Sequence, residues 1–186
     1  MPEPLADEAA SPLIVSSEVV FDGKVWDIRR EVFDYRGAEV TREFVDHTGA
    51  VAVLAIDDEG RVLLIQQYRH PIRSRDWELP AGLLDVENEE PLAAAKRELE
   101  EEVDLIAADW AELVEFHSSP GGSNELIRVY WATGLRATSV AFDRVEEEAD
   151  IVKRWVPLPE IVAAVLDGRL KNSILAIAVL AAHARG

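Results

Sequence analysis

The sequence predicts an α+β fold. Three features carry that prediction: alternating segments between Ile14 and His47, two apolar runs closed around Asp58-Glu59-Gly60, and a short acidic helix within Gly82 to Leu105. Segments such as VWDIRREVF and VTREFVDH alternate with the period of two expected for strands, while the acidic stretch repeats apolar residues with the period of a helix.

In chain order, residues 1–12 are rich in Pro, Ala and acidic side chains and read as a loose arm, since they offer little apolar surface to offset ordering entropy. A β-rich portion follows over 13–48, with turns near Asp22-Gly23 and Arg36-Gly37. The runs VAVLAID and RVLLIQQY around Asp58-Glu59-Gly60 predict a hairpin. Beyond the acidic helix, strands are expected at Glu112 to His117, Leu126 to Thr133 and Ile151 to Pro157. Helices are expected at Pro159 to Leu166 and Ser173 to Ala184, with Gly168 as a stop and Asn172 as an N-cap. No internal repeat is present.

At 186 residues, 48% hydrophobic, the chain suits one globular domain with a real core. Its net charge of −17 argues against nucleic acid as a partner, because binding phosphates needs a basic surface that releases counterions. A small anionic substrate would instead need local arginines and a metal. Without cysteine there are no disulfides or zinc-thiolate sites, and His47, His70, His117 and His183 lack metal-ligand spacing. No secretory signal is visible, and the longest apolar stretch, Ile174 to Ala182, falls far short of the roughly 20 residues that span a bilayer. The expected location is therefore cytoplasmic.

On a helical wheel Leu92, Ala95, Leu99 and Val103 share the face that a helix buries, and Glu98, Glu101 and Glu102 form an adjoining acidic stripe. Residues four apart are neighbours, so Lys96 can pair with Glu100 and Arg97 with Glu101, each pair contributing about 0.2–0.5 kcal/mol. Glu98 and Glu102 then face each other, an unfavourable pairing that a hard cation with oxygen ligands would reverse. From helix geometry alone, a solvated acidic face accounts for the stripe equally well.

Loop and helix together resemble the Nudix box: a glycine, a spacer, a glutamate, seven residues, then Arg-Glu-aliphatic-x-Glu-Glu-x-Gly-aliphatic. The matching residues are Gly82, Glu89, Arg97, Glu98, Leu99, Glu101, Glu102 and Leu105. The spacer of six residues between Gly82 and Glu89 is one longer than the commonest form, a small burden, since even doubling a loop adds only about 0.6 kcal/mol. Asp104 stands where the motif has glycine; aspartate visits the left-handed region more readily than most residues, so the helix is expected to end there as usual. The resemblance implies a Nudix fold, a mixed β-sheet sandwiched between helices, over 49–186, with Glu89 and Arg97 as a structural ion pair.

The segments TREFVDH, QQYRH, WELPAG and SSPGGSNE resemble the ADP-ribose pyrophosphatase branch, extending the likeness from about Thr41 to Trp155. Pro120, 15 residues beyond Leu105, matches a proline that accompanies ADP-ribose specificity there; physically it stiffens a loop. The branch implies Mg²⁺, with Mn²⁺ as a substitute, held by Glu98, Glu101, Glu102 and the Ala81 carbonyl, and catalysis by Glu98 and Glu102. The general base aligns with Glu148 in a loop that also holds Arg144, Glu146 and Glu147. Arg42, Glu43, Arg69 and Trp77 are expected to bind substrate; the arginines suit a pyrophosphate through two-point hydrogen bonding. Trp26, Trp77, Tyr68 and Phe33 are candidates for stacking on adenine, although aromatics beside apolar strand residues also serve as core.

The expected reaction is Mg²⁺-dependent hydrolysis of ADP-ribose to AMP and ribose 5-phosphate. Other nucleoside diphosphate derivatives, such as a nucleotide sugar or a dinucleotide, and a non-catalytic ADP-ribose-sensing domain are the rival readings. The intact box glutamates oppose the sensing domain. The branch also implies a homodimer in which 13–48 takes part.

Overall fold

The structure, a computed structural model, describes residues 4–139, 142 and 150–186. It divides into two compact units, Met1–His47 with Ser119–Asn124, and Thr48–Ser118 with Glu125–Gly186.

In the first unit, β1 (Ile14–Phe21), β2 (Asp27–Tyr35) and β3 (Ala38–Asp46) form an antiparallel meander. The β2–β3 turn is the two-residue kind whose twist matches the strands, with Arg36 and Gly37 both at positive φ and the Gly37 N–H donated to Asp34. The Ser119–Asn124 loop, which holds Pro120, lies along β3: Val45 N–H donates to the Gly122 carbonyl and Asn124 Nδ2 to Asp46.

The second unit holds two sheets. One has the order β7 (Ala81–Leu83), β4 (Ala50–Ala55), β9 (Leu126–Ala137), β8 (Leu105–His117), with β4 and β9 parallel; the other has β10 (Val152–Pro157), β5 (Arg61–Arg69), β6 (Ser74–Glu78). Both faces of β4 are buried. Ala50, Ala52 and Leu54 point into one apolar cluster with α2 (Leu158–Leu166) and α3 (Ser173–Arg185), and Val51, Val53 and Ala55 into a second with α1 (Pro91–Val103). Val62 and Leu64 of β5 join the first cluster, Leu63 and Ile65 the second. Sheets between helical layers are therefore what the sequence predicted.

The expected hairpin is not formed. Asp57 to Gly60 does turn, with Asp57 N–H on the Arg61 carbonyl and the Asp57 carboxylate accepting from Arg61 and Glu59 N–H. After one bridge, Ile56 to Val62, the strands part into different sheets. The physical reason lies in the runs themselves: VAVLA and VLLI are apolar on both faces, the mark of strands covered on both sides rather than a half-exposed hairpin. Gly134 likewise does not end its strand. It sits inside β9 at φ 66, between Thr133, which pairs with Asp109, and Leu135, which pairs with Ala107, so β9 runs on to Ala137 and β8 starts at Leu105. The short strands β6 and β7 either side of Leu79-Pro80 were not anticipated.

Asp104 adopts φ 62, ψ 33, and its N–H closes the last turn of α1 on the Glu100 and Leu99 carbonyls, as expected of a left-handed cap. Asn172 caps α3 through Oδ1, which accepts the Leu175 N–H at 3.0 Å. Among the described residues no helix is long and apolar enough to cross a membrane.

Leu99 is fully buried where α1 meets the sheet. Leu99→Ala is expected to lower the unfolding free energy by about 3–5 kcal/mol in urea titrations, the range for a leucine whose cavity cannot collapse. A loss under about 1 kcal/mol would show that this contact does not hold α1 in place.

Candidate functional site

Helix α1 starts with Pro91 in its first turn, a position that needs no N–H, and its buried stripe Ala94, Ala95, Leu99 and Val103 fixes its rotation against the sheet. That rotation puts Glu98, Glu101 and Glu102 into one cleft of about 310 Å³, together with Ala81, Gly82, Gln67, Arg69 and Arg97. Glu102 is only 5% exposed, and its Oε2 accepts the Ala81 N–H at 2.9 Å. A carboxylate buried to this degree requires such donors to remain ionised.

Glu98 explains the first glycine of the motif. A Cβ added at Gly82 would lie 2.0 Å from the Glu98 carboxyl carbon, so the bare backbone of β7 is the surface against which this carboxylate rests.

Arg97 ties the acidic groups together. Its Nε and Nη2 donate to the two oxygens of Glu89 at 3.0 and 2.9 Å, and its Nη1 reaches Glu98 at 2.6 Å and Glu101 at 3.1 Å. The Glu89–Arg97 pair joins loop to helix as the resemblance implied. The hydrogen bonds to Glu89, reinforced by the charge of Glu98, raise the guanidinium above its ordinary value, and the same bonds hold the Glu89 carboxyl below its own. Arg97 does pair with Glu101, but the expected Lys96–Glu100 pair gives way to other partners. Lys96 lies over the Trp110 ring at 5.9 Å, and Glu100 accepts from the Thr138 hydroxyl. Asp104, besides capping, takes Lys153 Nζ at 2.6 Å.

The donor set fits a hard divalent cation: three carboxylates and the backbone at Ala81, with no thiolate or imidazole in the cleft lining. Among the described residues no three His, Cys, Asp or Glu side chains form a ready-made cage. Arg97 Nη1 lies between Glu98 and Glu101 and supplies the positive charge there.

Arg69 is at the edge of this cleft, its Nε and Nη2 donating to Glu78 at 2.8 and 2.6 Å. Glu78 is itself 5% exposed and also takes a longer contact from buried Gln67 at 3.4 Å. Sequence reasoning missed Glu78 and Gln67. The signal was an acidic residue in the apolar run WEL, next to a strand that ends in arginine. Trp77 is elsewhere: it packs on the cluster of α2 and α3 and lines a separate cavity of about 120 Å³ with Leu64, Ile161 and Leu170. Arg42 and Glu43 belong to β3 of the first unit, where Arg42 donates to the Thr41 carbonyl and Glu43 accepts from Arg30. Among the other aromatics, Trp26 stacks on His47 at 4.1 Å, Phe33 meets Tyr35 edge-on, and Tyr68 contacts His70. Arg144, Glu146, Glu147 and Glu148 lie outside the described residues.

Because Arg97 holds the Glu89 carboxyl below its ordinary value of 4.5, the stabilisation is complete above that value and is lost as pH falls through the lower folded one. Urea midpoints measured from neutral pH down to the carboxylate range are expected to fall less steeply for Glu89→Gln than for the natural protein. Parallel curves would rule out this pair as a source of acid sensitivity.

A NUDIX domain model matches residues 46–176. The chain is 47% identical over 171 residues, 91% of its length and 82% of the relative's, to ADP-ribose pyrophosphatase of Mycobacterium tuberculosis. It is 38% identical over 135 residues, 72% of each chain, to ADP-ribose pyrophosphatase of Bacillus subtilis. A solved structure described as an ADP compounds hydrolase shares the fold, with a TM-score of 0.78 and 21% identity over 96% of this chain and 95% of that one. With Gly82, Arg97, Glu98, Glu101 and Glu102 of the box lining one cleft and a family match over most of its length, the chain belongs to the Nudix family and is a Nudix hydrolase.

Proposed function

We propose that the protein hydrolyses the pyrophosphate bond of ADP-ribose, giving AMP and ribose 5-phosphate, with Mg²⁺ as cofactor and Mn²⁺ able to replace it. The observation that carries this reading is the convergence of Glu98, Glu101, Glu102 and Ala81 on one cleft. The substrate is inferred from relatives that are themselves ADP-ribose pyrophosphatases.

Nudix hydrolases are generally dependent on a divalent metal. Held by the three glutamates and the Ala81 carbonyl, the ion would offset pyrophosphate charge and acidify the attacking water. The remaining work falls to side chains. Gly82 keeps Glu98 seated against the backbone, and the Ala81 N–H fixes one oxygen of Glu102. Arg69, set in its plane by buried Glu78, offers a guanidinium to the phosphoryl oxygens, whose charge grows in the transition state. Arg42 and Glu43 are assigned to substrate by the branch resemblance, as is Glu148 as the base that takes the proton from water. Trp77 faces the cluster of α2 and α3 rather than the acidic cleft, which favours a packing role for it. The reaction takes place without a covalent enzyme intermediate: water adds to one phosphorus, the bridging P–O bond breaks, and the leaving phosphate carries away the electron pair.

We also propose a homodimer formed through 13–48. Every residue of β1 is exposed, including Ile14, Val15, Val19, Val20 and Phe21, an apolar surface of the kind that a partner covers. Sedimentation equilibrium should give twice the chain mass, and Phe21→Glu should shift the distribution toward monomer; a natural protein of monomer mass at all concentrations would refute the dimer.

The activity is tested by chromatography of products after incubation with Mg²⁺ and, separately, ADP-ribose, NADH, a nucleotide sugar and a diadenosine polyphosphate. AMP and ribose 5-phosphate are expected at the highest rate from ADP-ribose, with chelator abolishing both. Glu102→Gln should lower turnover at least about 100-fold with the fold intact, the scale for losing a key electrostatic group. Near-normal turnover in that variant would sink the assignment, faster cleavage of another compound would move the specificity, and no cleavage at all would favour a sensing domain.

A further inference from the structure

We propose that the cavity between β6 and α2 is a binding site for a small aromatic carboxylate, a single ring bearing one carboxylate group. The site is separate from the acidic cleft and stands whether or not the pyrophosphatase reading does. Successive side chains of a strand alternate faces. Leu64 of β5 and Trp77 of β6 lie on the face that joins the cluster of α2 and α3, so Gln67, Arg69 and Glu78, at odd offsets from them, lie on the other. The cavity and the acidic cleft are therefore on opposite sides of this sheet.

The way α2 ends builds one side of the cavity. Gly168 adopts φ 70, and the Arg169 and Leu170 N–H groups both donate back to the Ala164 carbonyl, at 2.9 and 3.2 Å, which brings these two residues to the cavity. The floor is apolar, with Leu64, Val156 and Ile161 all buried. Trp77 supplies an aromatic wall. Its indole N–H has no acceptor among the described residues, although an indole at least half-buried ordinarily finds one.

The charged lining consists of two guanidiniums, Arg154 and Arg169, and one carboxylate, Glu160, a local surplus of positive charge in a chain of net charge −17. Both arginines are loosely engaged. Arg154 Nη2 is 3.6 Å from Glu160, beyond hydrogen-bonding range, and Arg169 Nη2 donates to Asp167 at 3.2 Å. All four of these side chains are exposed, and such pairs contribute little, so each guanidinium keeps most of its donors for a ligand carboxylate. Size sets the rest of the ligand. At about 120 Å³ the cavity approaches the apolar cavity of about 150 Å³ that takes up benzene. One six-membered ring fits, with its carboxylate toward the exposed arginines; a purine nucleoside does not.

The test titrates benzoate, and separately its neutral counterpart benzamide, into the isotopically labelled full chain. Of the five tryptophans only Trp77 lines the cavity, so its indole N–H signal, assigned by triple-resonance experiments, reports on this site. Benzoate is expected to shift that signal saturably and benzamide to bind at least about tenfold more weakly, while Arg154→Gln and Arg169→Gln should each raise the benzoate Kd about fivefold, the upper end for an exposed ion pair. Melting temperatures of both variants should match the natural protein's, because both side chains are exposed. Excess AMP should leave benzoate bound. A Trp77 signal that does not shift, equal affinity for benzamide, or a benzoate Kd unchanged in both variants would overturn the proposal. Displacement by AMP would do the same, by placing benzoate in the nucleotide site.

Discussion

Four charged groups meet where the loop after β7 reaches α1, and the geometry of the site depends on how Arg97 divides itself among them. Two of its nitrogens are committed to Glu89, which stands in the loop, and a third faces Glu98 and Glu101 on the helix. A planar guanidinium can do this because its donors form a rigid fork; a lysine ammonium in the same place would satisfy Glu89 or the helix glutamates, but not both in one plane. The loop is thereby held to the helix. The acidic residues of the stripe are kept close together without the full cost of like-charge repulsion. A cation that joined them would share with Arg97 a task the protein already performs in part.

The same helix is also a core element. Its buried stripe and its acidic stripe are adjacent on one 13-residue helix, so whatever fixes Leu99 and Val103 against the sheet also fixes the direction of Glu98 and Glu102. Gly82 adds the second half of the constraint from the β7 side, by having no side chain where the Glu98 carboxyl lies. At the far end Asp104 replaces the glycine of the box. It takes on the left-handed cap, and its carboxylate engages Lys153 of β10 while its carbonyl accepts from Thr138. A glycine would cap with less strain but would leave Lys153 without this partner.

How legible this was depended on how local the determinants were. The C-terminal end of α1 at the left-handed Asp104, the Asn172 cap and the Glu89–Arg97 pair all follow from residues within about two turns of one another, or from a motif whose spacing encodes them. Strand pairing was less accessible. The VAVLAID and RVLLIQQY runs were readable as strands, yet their separation into two sheets depends on β9 and β10, far away in sequence, outcompeting a neighbour across a four-residue turn. Gly134 misled for a related reason: its positive φ is held inside a long strand whose pairing continues on both sides of it, and a single sequence does not distinguish that from a strand end. In the site, the glutamates were found because the motif names them. Glu78 and Gln67 were not, since their importance comes from burial, which is decided only when β5 and β6 pair.

The strongly acidic charge of the chain bears on how an anionic nucleotide could be accepted at all. At physiological salt, charges more than about 8 Å apart are largely screened, so most of the 36 carboxylates contribute little at the cleft and the local set decides. That set is arranged by depth. Glu78 is buried and gives its charge to Arg69, and Glu102 is buried and gives one oxygen to a backbone N–H, so neither presents its full charge to solvent. Arg69, by contrast, is exposed enough to meet a phosphate at the rim. On the proposed reading, the rim attracts the diphosphate while the acidic floor discriminates among its forms. A nucleotide without a divalent ion would face Glu98 and Glu101 across only one guanidinium, whereas one accompanied by the ion brings the charge those carboxylates lack. Dependence on a divalent ion then follows from the electrostatics of binding as well as from the chemistry of the attacking water.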